Sequence, residues 1–290
     1  MRLDHLVVAV RDLEAAMARS QELGFNVEAG GSHPGFGSRN SIIRFGLDYI
    51  ELLAVEDEQK ARAAAPGSMA LVEYLEQREW GYLGFMVAGS SPEYYRRRLN
   101  DMGIETAAPW EMSRVRPDGH KLAWKLLQPG GLSWRRPWPT VIEWQTPDQQ
   151  RLSWDGLRDH PNGARALSRI RLGVRDSRET GAVYEQGFGL TCEDIGTSAE
   201  LDASARQVFL DRGVVELHVP HPDEFGPVGR MIEDQGEGVF GASVQVTDIG
   251  QTERWLVSRG IELVRHSSQT ISLQNGGLFD GLEFAEATAS

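Results

Sequence analysis

The chain has 290 residues, enough for two medium domains, and its 40% hydrophobic and 25% charged composition is ordinary for a globular protein with an ample core. A net charge of −12 excludes a nucleic-acid surface, which needs a basic face against phosphates; arginines gather only locally, at Arg114, Arg116, Arg135 and Arg136. One cysteine, Cys192, excludes an internal disulfide, no apolar run approaches the roughly 18 residues of a spanning helix, and Asp4 interrupts any signal-like start, so a cytoplasmic location is expected.

In chain order, LDHLVVAVRD alternates through Leu6, Val8 and Val10 as a strand with one buried face, and His5 sits near its start. Asp12 stands where a helix N-cap belongs, Leu13 to Leu23 reads as helix, and Gly24 ends it. SIIRFG and DYIELLAV then read as two closely spaced strands. The same order returns three times, with Gly103, Gly187 and Gly260 closing the helices and Asp176 and Asp248 as further caps. Each copy closes on a strand that holds a glutamate among apolar residues: Glu51, Glu143, Glu216 and Glu283. The expected fold is therefore α+β, four βαβββ modules paired into two cupped mixed-sheet domains. The first domain is placed at 1–150, with modules at 1–55 and 79–146; the second, at 166–290, has modules at 166–220 and 238–286. The polar stretch 146–165, with Pro and Gly, reads as the linker between them.

LDHLVVAVRDL, GGSHPGFGSRN, YIELLA, RPDGHKLAWKL, VIEW and HPNGA together resemble the vicinal oxygen chelate superfamily, and within it the glyoxalase-like domain proteins. The resemblance is close over residues 1 to 165; beyond, only the strand and helix pattern matches. It implies a divalent metal bound inside the sheet by first-strand and last-strand side chains. Aligning the first strands places Tyr82, Arg169 and Gly241 opposite His5. The two-His, two-Glu set of a glyoxalase I is then absent, as is the two-His, one-carboxylate triad of an extradiol dioxygenase. What remains is His5, Glu51 and Glu143, a set suited to Zn, Mn, Ni or Fe, with Tyr82 beside an open position. Glu51 or Glu143, if not fully committed to the metal, is the candidate general base. In the second domain, Arg169 opposite Glu216 reads as an ion pair, and Glu216 and Glu283 otherwise read as solvated strand residues.

Other stretches keep two readings. GGSHPGFGSRN is too rich in glycine for regular structure; His33 and Asn40 either line a pocket mouth or belong to a turn. RPDGHK reads as a type I turn at Pro117, with His120 beside it. His160 either reaches a cleft or caps a Pro161-Asn162-Gly163 turn. The tryptophans concentrated between Trp80 and Trp154, Trp124 among them, serve core packing or floor a pocket for a planar ligand. Arg135 and Arg136 beside Trp134 and Trp138 suit a carboxylate on an apolar body. No dinucleotide, phosphate-loop or nucleophile-elbow spacing occurs in the right context. The functional expectation is a metal-dependent lyase, isomerase or hydrolase acting on a small oxygenated substrate. The alternative is a metal-free binding protein for a hydrophobic or aromatic compound. Neither nucleic acid nor membrane is an expected partner, and a homodimer is allowed.

Overall fold

The computed structural model describes residues 1–33, 35–64, 66–115, 119–131, 134–155, 159–198, 200–221, 226–274 and 277–287. The first module is β1 (Arg2–Val10), α1 (Leu13–Glu22), β2 (Val27–His33), β3 (Ser38–Arg44) and β4 (Tyr49–Val55). Helices α2 (Glu58–Ala63) and α3 (Pro66–Gln77) follow. The second module is β5 (Trp80–Ala88), α4 (Pro92–Asp101), β6 (Trp110–Val115), β7 (Lys121–Leu127) and β8 (Thr140–Trp144), followed by α5 (Asp148–Asp155). The third holds β9 (Ala164–Gly173), α6 (Ser177–Ala182) with a π-helical turn over Val183–Phe188, β10 (Cys192–Ser198), β11 (Ala203–Phe209) and β12 (Val214–Pro220). After α7 (Pro227–Gln235), the fourth runs through β13 (Gly238–Val246), α8 (Ile249–Val257), β14 (Leu263–Arg265), β15 (Thr270–Leu273) and β16 (Leu282–Glu286).

The fold is the expected α+β arrangement of four βαβββ modules. Two similar eight-stranded sheets form, ordered β2-β3-β4-β1-β5-β8-β7-β6 and β10-β11-β12-β9-β13-β16-β15-β14. Both are mixed: β1 runs parallel to β4, whereas β3 runs antiparallel to it. The caps are those the sequence marks, since Asp12, Asp176 and Asp248 each accept a backbone N–H from their helix's first turn.

Packing groups the chain into two compact units that interleave along the sequence. One comprises residues 1–4, 84–155 and 170–240; the other comprises 5–83, 156–169 and 241–290. In the first unit, Tyr184 is fully buried and donates its hydroxyl to the Pro137 carbonyl at 3.0 Å. Burial raises the Cys192 thiol, as befits a small core residue. Part of the stretch read as linker is helix α5 in this unit. Its Arg151 is buried against the Trp144 ring, 3.7 Å from the centroid, and Arg2 bonds both Asp4 and Asp148. A stacked cation and an ion-pair network fix a segment that composition alone marks as loose.

In the second unit the core is aromatic: Phe25 stacks on Phe284 at 5.9 Å and meets Phe45 and Phe279 edge-on. The segment 159–163 is a buried latch in this unit. His160 Nδ1 accepts from the Asn26 amide, so its Nε2 carries the hydrogen and donates to the Arg44 carbonyl, both at 2.9 Å. Asn162 donates to the Leu23 carbonyl and accepts from the Ala164 amide, and Thr252 donates to the Asn162 carbonyl. Gly24 at φ +80° ends α1 against Asn162, where a side chain has no room.

Burial holds the His160 pKa below its ordinary 6.5. The unfolded chain therefore binds a proton more readily than the folded one. The neutral ring's contribution is complete above about pH 6.5 and declines as the pH falls from there toward the lowered folded value. Urea unfolding between pH 5 and 8 should show this decline in the wild type and a flatter profile in His160→Leu. That variant should also lose about 1–3 kcal/mol for each backbone group left unpaired; equal slopes would remove His160 from the account.

Candidate functional site

The second unit brings His5 and Glu51 together. On β1 and β4 the register pairs His5 with Tyr49 and Val7 with Glu51, so the two side chains are diagonal neighbours on one face. His5 is 3% exposed, and its Nε2 lies 3.7 Å from Glu51 Oε2. The His5 ring stacks on Tyr49, with centroids 4.4 Å apart and planes 12° from parallel. Arg44, on the strand at the other side of Tyr49, holds its guanidinium 5.5 Å from that ring's centroid. A row of Arg44, Tyr49 and His5 thus crosses three strands, beside Glu51.

Asn40 completes the group. Its Nδ2 donates to Glu51 Oε1, and its Oδ1 accepts from the Gly31 amide at 3.0 Å, which fixes the orientation of the amide. A β-bulge between Ala29 and Gly31 makes this geometry, and a Cβ on Gly30 would collide with Asn40 Oδ1. The stretch expected to be irregular is therefore strand on both sides of a short turn. Of its glycines, Gly30 makes room for Asn40 within the sheet, while Gly37 takes φ +62° where the chain meets α2. His33 ends β2 opposite Ser38, its Nδ1 3.0 Å from that hydroxyl. Helix α1 lies on the other face, where Ser41 donates to Met17 Sδ, so Asn40, Glu51 and His5 face away from it.

The other expected residues lie elsewhere. Glu143 belongs to the other compact unit, and its Oε1 accepts from the Ser91 amide at 2.8 Å, where α4 begins. The β5–β8 register explains this: Met86, which lies five residues before its helix cap Ser91 as Val7 does before Asp12, pairs with Thr140. Thr140 thus holds the place of Glu51, and Glu143, three residues on, points to the helix side. Tyr82 is buried edge-on to Trp80. Trp124 packs on its cross-strand partner Trp144, and Arg135 bonds the carbonyls of Gln235 and Gly236 at the end of α7 and of Val239 in β13. Arg136 is buried with the Trp138 and Gly131 carbonyls and the Thr140 hydroxyl, and desolvation lowers its pKa to about 10. Arg116 and Pro117 lie outside the described residues; His120 stacks on Trp154.

The glutamates of the later modules are buried, not solvated. Arg169 pairs with Glu283 at 3.9 Å, and Ser243 donates to the same carboxylate. Glu216 meets His218, a residue the sequence reading passed over. The signal was there: ELH in β12 places Glu and His two apart, hence on one face.

A divalent ion held by protein side chains wants three or four donors. Among the described residues no three His, Cys, Asp or Glu side chains gather in that way. His5 and Glu51 offer two, Asn40 Oδ1 is turned to Gly31, and Glu143 is engaged at Ser91. The residues present do not fit the expected His5, Glu51 and Glu143 metal set.

Two eight-stranded sheets of repeated βαβββ modules define the vicinal oxygen chelate fold. Residues 3–186 match the glyoxalase-like domain family, and the chain belongs to it. A hypothetical protein from Staphylococcus aureus is similar in structure at 14% identity, with 99% of each chain covered and a TM-score of 0.68. A mutant 4-hydroxymandelate synthase from Streptomyces coelicolor is similar at 16% identity, covering 98% of this chain and 92% of that one, TM-score 0.65. At those identities the likeness is one of fold. No curated protein matches the sequence. Among the described residues, no helix is long and apolar enough to cross a membrane.

Because Gly30 makes room for the amide that orients Glu51, Gly30→Ala should cost about 1–3 kcal/mol through local overpacking. The urea midpoint measures it, and Gly35→Ala, where a Cβ meets nothing within 4 Å, is the control. Equal midpoints would mean that Asn40 is not held as described.

Proposed function

We propose that the protein is a glyoxalase-like enzyme that binds a small oxygenated molecule over His5 and Glu51 and moves a proton there. The observation that carries this is a buried imidazole and an oriented carboxylate side by side on one sheet face, without direct hydrogen-bond contact. Buried titratable pairs of this kind are costly for stability alone and concentrate at functional sites. At 3.7 Å the two groups are not hydrogen-bonded to each other.

Glu51 is the proposed base. Asn40 holds Oε1, leaving Oε2 to take a proton from carbon or oxygen of the substrate. His5 is the proposed partner at the developing oxyanion, its ring plane set by Tyr49. The cation of Arg44 behind Tyr49 favours negative charge nearby. Proton transfer next to a carbonyl serves isomerase and lyase chemistry alike. Neither step uses a metal, in keeping with the donor set.

The test is hydrogen–deuterium exchange, followed by NMR, at the carbon beside the carbonyl of small α-hydroxyketones, dihydroxyacetone first. Wild type should accelerate it, and Glu51→Gln should reduce the effect by about 10²- to 10⁴-fold. Saturable binding with no exchange in any such compound would make the protein a sequestering one. Elemental analysis of gently purified protein should find no stoichiometric divalent metal; near-stoichiometric metal in wild type, lost in Glu51→Gln, would overturn the metal-free step.

A further inference from the structure

The first unit holds a second buried imidazole–carboxylate pair, apart from the site above. Glu216 and His218 share a face of β12 and are 7% and 3% exposed. His218 Nε2 lies 3.2 Å from Glu216 Oε2. An ionised carboxylate only accepts, so this nitrogen carries the hydrogen and Nδ1 presents a lone pair. Nδ1 is itself buried, and among the described residues nothing donates to it. A buried acceptor left in that state calls for a partner beyond the described residues.

The surroundings limit what that partner is. Ala205 stands across from His218 on β11, and Ala203, on the same face, packs against Val228 and Ile232 of α7. Helix α6 is on the opposite face, where Arg206 donates to the Ser177 carbonyl. Phe240 meets the imidazole edge-on, with centroids 5.3 Å apart, and Arg171 holds its guanidinium 5.6 Å from the Phe240 centroid. The environment is thus mostly alanine, aliphatic and aromatic carbon, with the buried Arg171 guanidinium beyond Phe240. A metal ion would want further donors, and no third His, Cys, Asp or Glu joins the pair among the described residues. An anion would meet the Glu216 carboxylate. A hydroxyl on an apolar body meets neither objection.

We propose that Glu216 and His218 form the polar end of a second small-molecule site, which takes a compact neutral hydroxyl compound whose O–H donates to His218 Nδ1. His218 makes the contact; Glu216 is a positioning residue that fixes the tautomer, as carboxylates behind liganding or catalytic imidazoles do. Helix α7 covers the face the compound occupies.

The full chain labelled with ¹⁵N-histidine, titrated with phenol, tests this. The expected result is an Nε2–H tautomer for His218 and a saturable shift of its Nδ1 resonance. Glu216→Gln should weaken phenol binding about tenfold or more, through loss of the charged hydrogen bond that orients the ring. Ala205→Val leaves the pair in place and should abolish the shift by filling the space across from it. A proton on Nδ1, no movement up to millimolar phenol, or a shift that survives Ala205→Val would each reduce the pair to a structural one. A Zn²⁺ titration that moves Nδ1 where phenol does not would overturn the ligand class.

Discussion

The side-chain amide of Asn40, strung between the Gly31 amide and the Glu51 carboxylate, is the contact on which the candidate centre depends. A carboxylate turned inward on a sheet is desolvated, and it persists there only if hydrogen-bonded or paired. Asn40 meets that demand on one oxygen and leaves the other beside His5. The arrangement reaches back into the backbone, because the amide fits only where Gly30 carries no side chain. Backbone irregularity, amide orientation and carboxylate aim are one device.

The same demand recurs along the repeat and is met differently each time. Glu283 is satisfied by Ser243 and Arg169, and Glu216 by His218. In the second module the corresponding place is Thr140, whose hydroxyl takes part in the burial of Arg136. One scaffold thus carries four distinct polar solutions. Only two of them pair an imidazole with a carboxylate, one in each compact unit. Repetition fixed where a polar group stands, and local neighbours fixed its chemistry.

Strand alternation, the aspartate caps and the glycine stops made the four modules legible, because periodicity and capping act within a dozen residues. The placement of His5 and Glu51 on one sheet face was legible for the same reason, each near a fixed point of its module. Glu143 was not. A glutamate three residues beyond the equivalent place points to the other face, and only strand register reveals that. Nor was the role of the glycines in GGSHPGFGSRN, since a bulge and a turn draw on the same residues. The destinations of Arg135, at the end of α7, and of Arg169, on Glu283, depend on residues about a hundred positions away, beyond any local pattern. Composition marked 146–165 as a linker, but stacking and ion pairing order much of it.

The stacking of Phe25 on Phe284 and the latch from Leu23 through Asn162 to Thr252 join the first module to the fourth. During synthesis the Leu23 carbonyl waits for Asn162, and the Phe25 ring waits longer still, for Phe284. Contacts that far apart in sequence are slow to form. Until the fourth module is made, the nascent chain therefore carries an unfinished apolar surface, exposed to chaperones and to misassociation. Loss of the strand that carries Phe284 strikes the first module as directly as the fourth.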